Sequence, residues 1–201
     1  MERLVLPPGA PWDAAAARAA AVLREGGVAL LPAEGVYGLH ARAEDAAAVE
    51  RLRSLKRRSP EKRYIGLIAD RSEIARWAEP NPRALALARK HWPGALTMVL
   101  RATPSLPESM RNVDGTVALR CPGSPFLRAV VAAVHGIVLS TSANEPGGTP
   151  PTRPEGALAE RADLVVDQGT LSGTPSTVVA IEGDLVRVLR EGAVRLRGRR
   201  T

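Results

Sequence analysis

The segment Ser140-Thr141-Ser142-Ala143-Asn144 places hydroxyls and a carboxamide directly after an apolar, strand-like run, Ile137-Val138-Leu139. Strand alternation puts Ser140, Ser142 and Asn144 on the same face, where they could hydrogen-bond a charged ligand without carrying charge themselves. A strand that merely ends in a hydroxyl-rich turn has the same composition. By itself this segment leaves both readings open.

A second segment bears on the choice. Lys56-Arg57-Arg58 follows a helix-like stretch, Glu44 to Leu55, whose apolar positions Ala48, Val49, Leu52 and Leu55 keep three-and-four spacing. Cations at a helix exit complement the helix dipole and are ordinarily solvated. Lys56 and Arg58 together with Ser142 and Asn144, however, resemble the tetrad of the YrdC family, the threonylcarbamoyl-AMP synthases, in which a Lys-x-Arg and a distant Ser-x-Asn meet in one cavity. The resemblance spans nearly the whole chain. It includes Pro32-Ala33-Glu34-Gly35-Val36-Tyr37-Gly38-Leu39, Trp92-Pro93-Gly94-Ala95-Leu96-Thr97, Thr116-Val117-Ala118-Leu119-Arg120, Ser176-Thr177-Val178-Val179 and Leu189-Arg190-Glu191-Gly192.

This resemblance implies an activity: ATP, L-threonine and bicarbonate give threonylcarbamoyl-AMP and pyrophosphate, for tRNA N6-threonylcarbamoyladenosine synthesis together with other tRNA-threonylcarbamoylation proteins. Every substrate is charged, so such a step needs positioning and cations rather than a protein nucleophile. The sequence carries no Gly-x-Ser-x-Gly elbow, paired-carboxylate motif or P-loop. By the same resemblance, Lys56, Arg58, Ser142 and Asn144 form the catalytic set. Arg58, Lys62, Thr116, Ser142 and Arg190 would face the nucleotide, and Gly35, Arg120, Ser140 and Ser176 the threonine, with Arg120 on its carboxylate. Magnesium would arrive with ATP, which needs no dedicated carboxylate cage. For Arg120 and Arg190 the residues alone read as strand-end surface cations, and for Ser176 as a turn hydroxyl.

The chain also departs from the family pattern, losing two hydroxyls on the threonine side at Ala33 and Gly35. Where Pro-Thr-Glu-Thr is common, this chain has Pro32-Ala33-Glu34-Gly35; His40 stands where glycine is usual, Leu67 where some members have histidine, and Ser124 where His-Pro is typical. A lost neutral hydrogen bond weakens binding by about 0.5–1.5 kcal/mol, so a single loss tunes affinity while several could change the substrate. The YciO-like branch has similarly eroded motifs and fits as an alternative. A rival from another class is a non-catalytic RNA-binding module using the same basic concavity.

The 201 residues can bury one substantial core, which we read as a YrdC-like domain over 1–194 and a basic tail over 195–201, the short form without an extra C-terminal domain. The net charge of +7 is uneven: residues 51–63 carry +6 and the tail +4. Two such patches suit polyphosphate or weak, non-specific tRNA binding, although the tail reads first as a frayed, solvated terminus. Aromatic residues make up only 3% of the chain, which argues against single-strand stacking. Cys121 is the only cysteine, and His40, His91 and His135 are scattered, so neither a disulfide nor a protein-held zinc is expected. No apolar run approaches the roughly 20 residues of a membrane span, and Met1-Glu2-Arg3-Leu4 lacks a secretory pattern; the expectation is a cytoplasmic protein.

The elements that must position these residues follow from periodicity. Helices are expected over Ala14–Arg24 (capped at Pro11-Trp12-Asp13 and closed by Gly26-Gly27), Glu44–Leu55, Ser72–Trp77, Pro82–Lys90, Pro125–Val134 and about Pro154–Arg161. Strands are expected at Val28–Leu31, Ile65–Ala69, Leu96–Leu100, Val117–Leu119, Ile137–Leu139, Leu164–Val166, Thr177–Ile181 and Leu185–Leu189, with a loop over Pro32–Gly38. The order gives an α/β or α+β layered domain. The family resemblance further implies a twisted, mostly antiparallel mixed sheet with helices around an open cavity.

Overall fold

The computed structural model describes residues 1–7, 9–56 and 64–196. Its ten strands are β1 Glu2–Val5, β2 Ala29–Ala33, β3 Val36–Arg42, β4 Ile65–Leu67, β5 Leu96–Arg101, β6 Thr116–Arg120, β7 Val138–Ser142, β8 Leu164–Asp167, β9 Thr177–Glu182 and β10 Leu185–Arg190. They form one sheet in the order β1-β8-β2-β3-β7-β4-β6-β5-β9-β10. Five neighbouring pairs are antiparallel and four parallel, so the sheet is mixed with an antiparallel majority. The helices are α1 Asp13–Arg24, α2 Ala46–Leu55, α3 Ile74–Trp77, α4 Pro82–His91, α5 Pro125–Val134 and α6 Ala157–Glu160.

Strand alternation sorts the core into two layers. Tyr37, Leu39 and Ala41 of β3, Met98 and Leu100 of β5, Val117 and Leu119 of β6, and Val179 and Ile181 of β9 belong to one continuous core with residues of α2, α3, α4 and α6. On the opposite face, Ala29, Leu31, Leu67, Val138, Leu164 and Val166 pack with α1 and α5. Helix α5 buries Phe126, Leu127, Val130, Val131 and Val134 there, each contributing about 1.5–3 kcal/mol. Those two helices cover only part of this face. Toward β5, β6 and β9 the apolar cover shrinks to a small cluster of Val99, Ala118 and Ala180, and the face lies open.

Local chemistry fixes the helix ends. Asp45 accepts from Ala48 N–H at 3.0 Å ahead of α2, Asn81 from Ala84 N–H at 2.8 Å ahead of α4, and Ser124 from Leu127 N–H at 3.3 Å ahead of α5. The expected cap on α1 is absent: the helix begins at Asp13, with no side-chain hydrogen bond from Trp12, so the Asp13 carboxylate serves the N-terminal dipole from within the first turn. Gly26, at φ 82°, closes it.

Two strands depart from expectation. β1 has no counterpart among the expected elements, and the loop expected over Pro32–Gly38 is a tight hairpin in which only Glu34 and Gly35 turn the chain between β2 and β3. Pro32 is tolerated because β8 pairs with β2 only at Ala29 and Leu30, leaving the proline beyond the ladder on that side. The helix expected over Pro154–Arg161 is one turn, Ala157–Glu160. Among the described residues no helix is long and apolar enough to cross a membrane.

Candidate functional site

The open part of the sheet forms a cavity of about 240 Å³ whose lining includes Arg120, Ser140, Ser142, Ser176 and Arg190. These come from three strands and the segment before β9, and alternation explains most of their convergence. Ser140 and Ser142 of β7 face the cavity beside Ala118 and Arg120 of β6, while Gly38 of β3 pairs with Ser142. Arg190 needs an irregularity. β10 carries a register shift between Val188 and Arg190 that sets Arg190 opposite Val178, a cavity-lining residue; unbroken pairing would have set it opposite Thr177, on the other face. The bulge re-aims the guanidinium.

The two cavity arginines differ in their surroundings. Arg120 has 8% side-chain exposure and forms an ion pair with Glu34, while its Nε donates to Gly94 O at 3.1 Å. The Glu34 carboxylate also accepts from the backbone N–H of Gly123 and of Ser124 at 3.3 Å. Glu34 reaches these donors from the hairpin turn, where its φ is 67°. Burial lowers the Arg120 guanidinium from its ordinary value, and Glu34 opposes that shift. Arg190 donates to Ser176 O from Nε at 3.2 Å and from a terminal nitrogen at 2.7 Å, and to Ser176 Oγ at 3.1 Å. Burial first and the Arg120 charge second lower Arg190 as well. Among the described residues no carboxylate forms an ion pair with Arg190.

Three members of the expected tetrad meet. Lys56, 4% exposed, donates from Nζ to Ser142 O at 2.8 Å and to Asn144 O. Ser142 Oγ donates to Asn144 Oδ1, and Asn144 Nδ2 donates to Glu145 O at 2.9 Å and Gly148 O at 2.6 Å. Asn144 follows β7 rather than lying on it, so its side chain braces the turn beside the cavity. Arg58 and Lys62, with the rest of 57–63, lie outside the described residues, as do 197–201 of the basic tail.

Thr116 and Gly35 sit apart from the cavity lining. Thr116 opens β6 on the cavity's face but lines a neighbouring hollow that shares Val99 and Leu189 with it, and its hydroxyl donates to Asp114 at 2.6 Å. Gly35 turns no atom into the cavity: a Cβ there would stand 1.9 Å from Thr174 O, and Gly35 O accepts from Gly173 N at 2.7 Å. The segment from Gln168 to Ser176 therefore runs over the hairpin as a strap. Tyr37, fully buried, pins it, donating from its hydroxyl to Gly169 O at 2.8 Å and accepting from Gln168 N at 2.9 Å. The sequence reading missed this strap, whose only sequence signal is the pair of positive-φ glycines, Gly169 and Gly173.

Behind two of the cavity hydroxyls stand fully buried polar groups: Thr97 Oγ1 lies 2.9 Å from Ser176 Oγ, and His40 Nε2 lies 3.2 Å from Ser140 Oγ. Burial pushes the Cys121 thiol up to about 11, so it stays protonated and inert. Among the described residues no group of three His, Cys, Asp or Glu could hold a metal ion.

A family model described as "Telomere recombination", for Sua5, YciO and YrdC proteins, matches residues 21–192. The chain belongs to this family. The threonylcarbamoyl-AMP synthase of Bacillus subtilis (strain 168) is 35% identical over 189 residues, covering 90% of this chain and 54% of that protein. P. abyssi Sua5, solved with L-threonine, superposes with a TM-score of 0.87 at 29% identity, over 96% of this chain and 58% of that one. E. coli YciO superposes with a TM-score of 0.89 at 26% identity, over 98% of both. The chain thus spans little more than half the length of the synthase and of Sua5, and nearly all of YciO.

Proposed function

We propose that this Sua5/YciO/YrdC-family protein is an adenylate-forming enzyme that makes threonylcarbamoyl-AMP and pyrophosphate from ATP, L-threonine and bicarbonate. The product would pass to other tRNA-threonylcarbamoylation proteins in the cytoplasm. The observation that carries this reading is the pair of unlike arginines on one cavity: Arg120 matched by Glu34, and Arg190 with no carboxylate in ion-pair contact among the described residues. A site of that kind has one guanidinium left over for an incoming anion, and the serine hydroxyls around it can donate to oxyanions. The synthases among the relatives point the same way.

In this reading Arg190, fixed by Ser176, takes phosphate oxygens, and Arg120 takes the amino-acid carboxylate in competition with Glu34. Lys56 acts by holding the Ser142–Asn144 turn, and its buried charge raises the local positive potential. By family correspondence Arg58 and Lys62 complete the nucleotide side, and Thr116 would have to act from the adjoining hollow. The donor set suits a magnesium ion that arrives on the triphosphate: among the described residues the carboxylate paired with a cavity arginine, Glu34, is already committed to Arg120 and two backbone N–H groups. Magnesium bound to ATP would neutralise phosphate charge as pyrophosphate leaves.

A second reading has its own observation. The strap occupies the space beside Gly35 where a longer side chain would stand, which favours a YciO-like protein with another amine substrate. Incubating the protein with ATP, bicarbonate and individual amino acids, then detecting carbamoyl-adenylates by mass spectrometry, tests both. Threonylcarbamoyl-AMP is the expected product; an adenylate from another amino acid alone would select the second reading, and no adenylate from any would overturn both.

A further inference from the structure

Ser140 lines the cavity at the middle of β7, and its cross-strand partner on β3 is His40. The imidazole is fully buried. Its i−2 neighbour, Gly38, leaves room for it: a Cβ there would stand a tight 3.0 Å from His40 Cε1. Nε2 lies 3.2 Å from Ser140 Oγ, and Nδ1 meets no partner in good hydrogen-bond geometry, although backbone groups of Ala29 and Gly38 lie near the ring and favour its protonated form. A leucine could fill much of this space with no polar atom to desolvate, and a half-satisfied buried ring costs stability. Groups that cost stability in a well-packed sheet concentrate at functional sites.

We propose that His40 is a positioning residue whose imidazole holds the Ser140 hydroxyl in one orientation, so that Ser140 meets the amino-acid substrate already aligned. The substrate assignment rests on the function proposed above; the His40–Ser140 link does not. Both tautomers give the same consequence. If Nε2 carries hydrogen it donates to Oγ and leaves the serine proton for the ligand; if not, Oγ donates to Nε2 and offers its lone pairs. In either case a rotor that would otherwise be ordered only on binding is ordered beforehand, which lowers the entropic cost of recognition. Desolvation lowers the imidazole pKa to about 4, only partly offset by the backbone of Ala29 and Gly38 and reinforced by the Arg120 charge; the ring is therefore neutral near pH 7 and leaves the cavity's charge unchanged. The same construction recurs at Ser176, backed by the buried hydroxyl of Thr97.

The test uses His40→Leu, which keeps bulk without a hydrogen bond, His40→Gln, which keeps an amide, and Ser140→Ala, alone and with His40→Leu. We expect His40→Leu to raise the amino-acid KM roughly three- to tenfold with the ATP KM and kcat nearly unchanged, the range of one hydrogen bond. His40→Gln should recover most of that loss, and in the Ser140→Ala background His40→Leu should add nothing. Equal KM values in wild type and His40→Leu, or effects that multiply in the double variant, would overturn the proposal. In parallel, the ¹⁵N resonances of the His40 ring are recorded in wild type and Ser140→Ala, which needs neither turnover nor a foldable His40 variant. A shift of Nε2 supports the link, and unchanged ring resonances overturn it. If the ring responds while the wild type makes no threonylcarbamoyl-AMP, the link stands and it is the substrate assignment that falls.

Discussion

The two walls of the cavity are built on opposite plans. On the hairpin wall, Glu34, Arg120, Gly94, Gly123 and Ser124 satisfy one another in a buried cluster, and the strap closes over Gly35. On the far wall, Arg190 lies on the edge strand β10, aimed inward by a bulge and held through Ser176 without a carboxylate among the described residues. A charge already matched at home chiefly supports the fold, because its partner is what makes its burial tolerable. A charge held by neutral acceptors keeps its full attraction for an incoming anion. Before a ligand binds, Arg120 thus has a carboxylate that an incoming anion must displace, whereas Arg190 has none in ion-pair contact among the described residues.

The sharpest way to break the contrast is to remove the internal counter-charge. Glu34→Gln leaves the Arg120 guanidinium buried without its partner, and should destabilise the protein by about 3–5 kcal/mol, read from urea unfolding midpoints. An unchanged midpoint would mean that solvent, not Glu34, neutralises Arg120. Arg190→Ala should do the reverse. It should weaken ATP binding by roughly ten- to a hundredfold, the range of about 1.5–3 kcal/mol for a hydrogen bond to a charged group, while shifting unfolding little. Calorimetric titration alongside the same unfolding curve separates the two, and a variant that lost stability but kept ATP affinity would reverse the roles assigned here.

These walls are unequally legible in the sequence. Helix α5 can be read to the residue, because Ser124-Pro125 marks its start and its apolar spacing fills its length. Alternation alone places Ser140 and Ser142 correctly on one face. The hairpin is hidden by its composition: Pro32 of β2, Gly35 of the turn and Gly38 of β3 imitate a loop, and only the pairing of β2 with β3 shows a two-residue turn between them. Glu34 and Arg120 lie 86 positions apart, and no local signal connects them before the strand order is known. The orientation of Arg190 depends on a bulge, which alternation cannot anticipate. The family resemblance supplies the two arginines, whereas the strap over Gly35 comes from neither route.

That strap sharpens the comparison at the hairpin wall. Gly35 has no left-handed φ, so the obstacle to a side chain there is space rather than backbone strain: its Cβ would meet a backbone oxygen, Thr174 O, at 1.9 Å. Gly35→Ala should therefore cost about 1–3 kcal/mol as the strap is displaced, and should raise the rate of proteolytic cleavage within residues 168–175. A fully stable, protease-resistant Gly35→Ala would show that the strap rises easily, and a hydroxyl at position 35 would then be a realistic route to altering the amine substrate.

Between the walls the floor residue His40 gives the smallest effect, and its sign can be worked out. Its pKa falls from 6.5 to about 4 on burial, so between these values the unfolded chain binds a proton that the folded protein excludes. Stability is thus complete above pH 6.5 and is lost as pH falls toward 4. From pH 7 to pH 5.5 the loss from this one group is about 1 kcal/mol, since one pH unit within the window is worth about 1.4 kcal/mol. The imidazole of His91 is also lowered by burial and by Lys90, and contributes with the same sign, so the slope of the wild type alone proves nothing. The decisive quantity is the difference between wild type and His40→Gln, which removes the titrating ring and retains a polar group near Ser140. Its unfolding free energy should fall less steeply over this range. Parallel slopes would place a proton, or water, on His40 at mild acidity and would make the cavity floor as responsive to charge as the Arg190 wall.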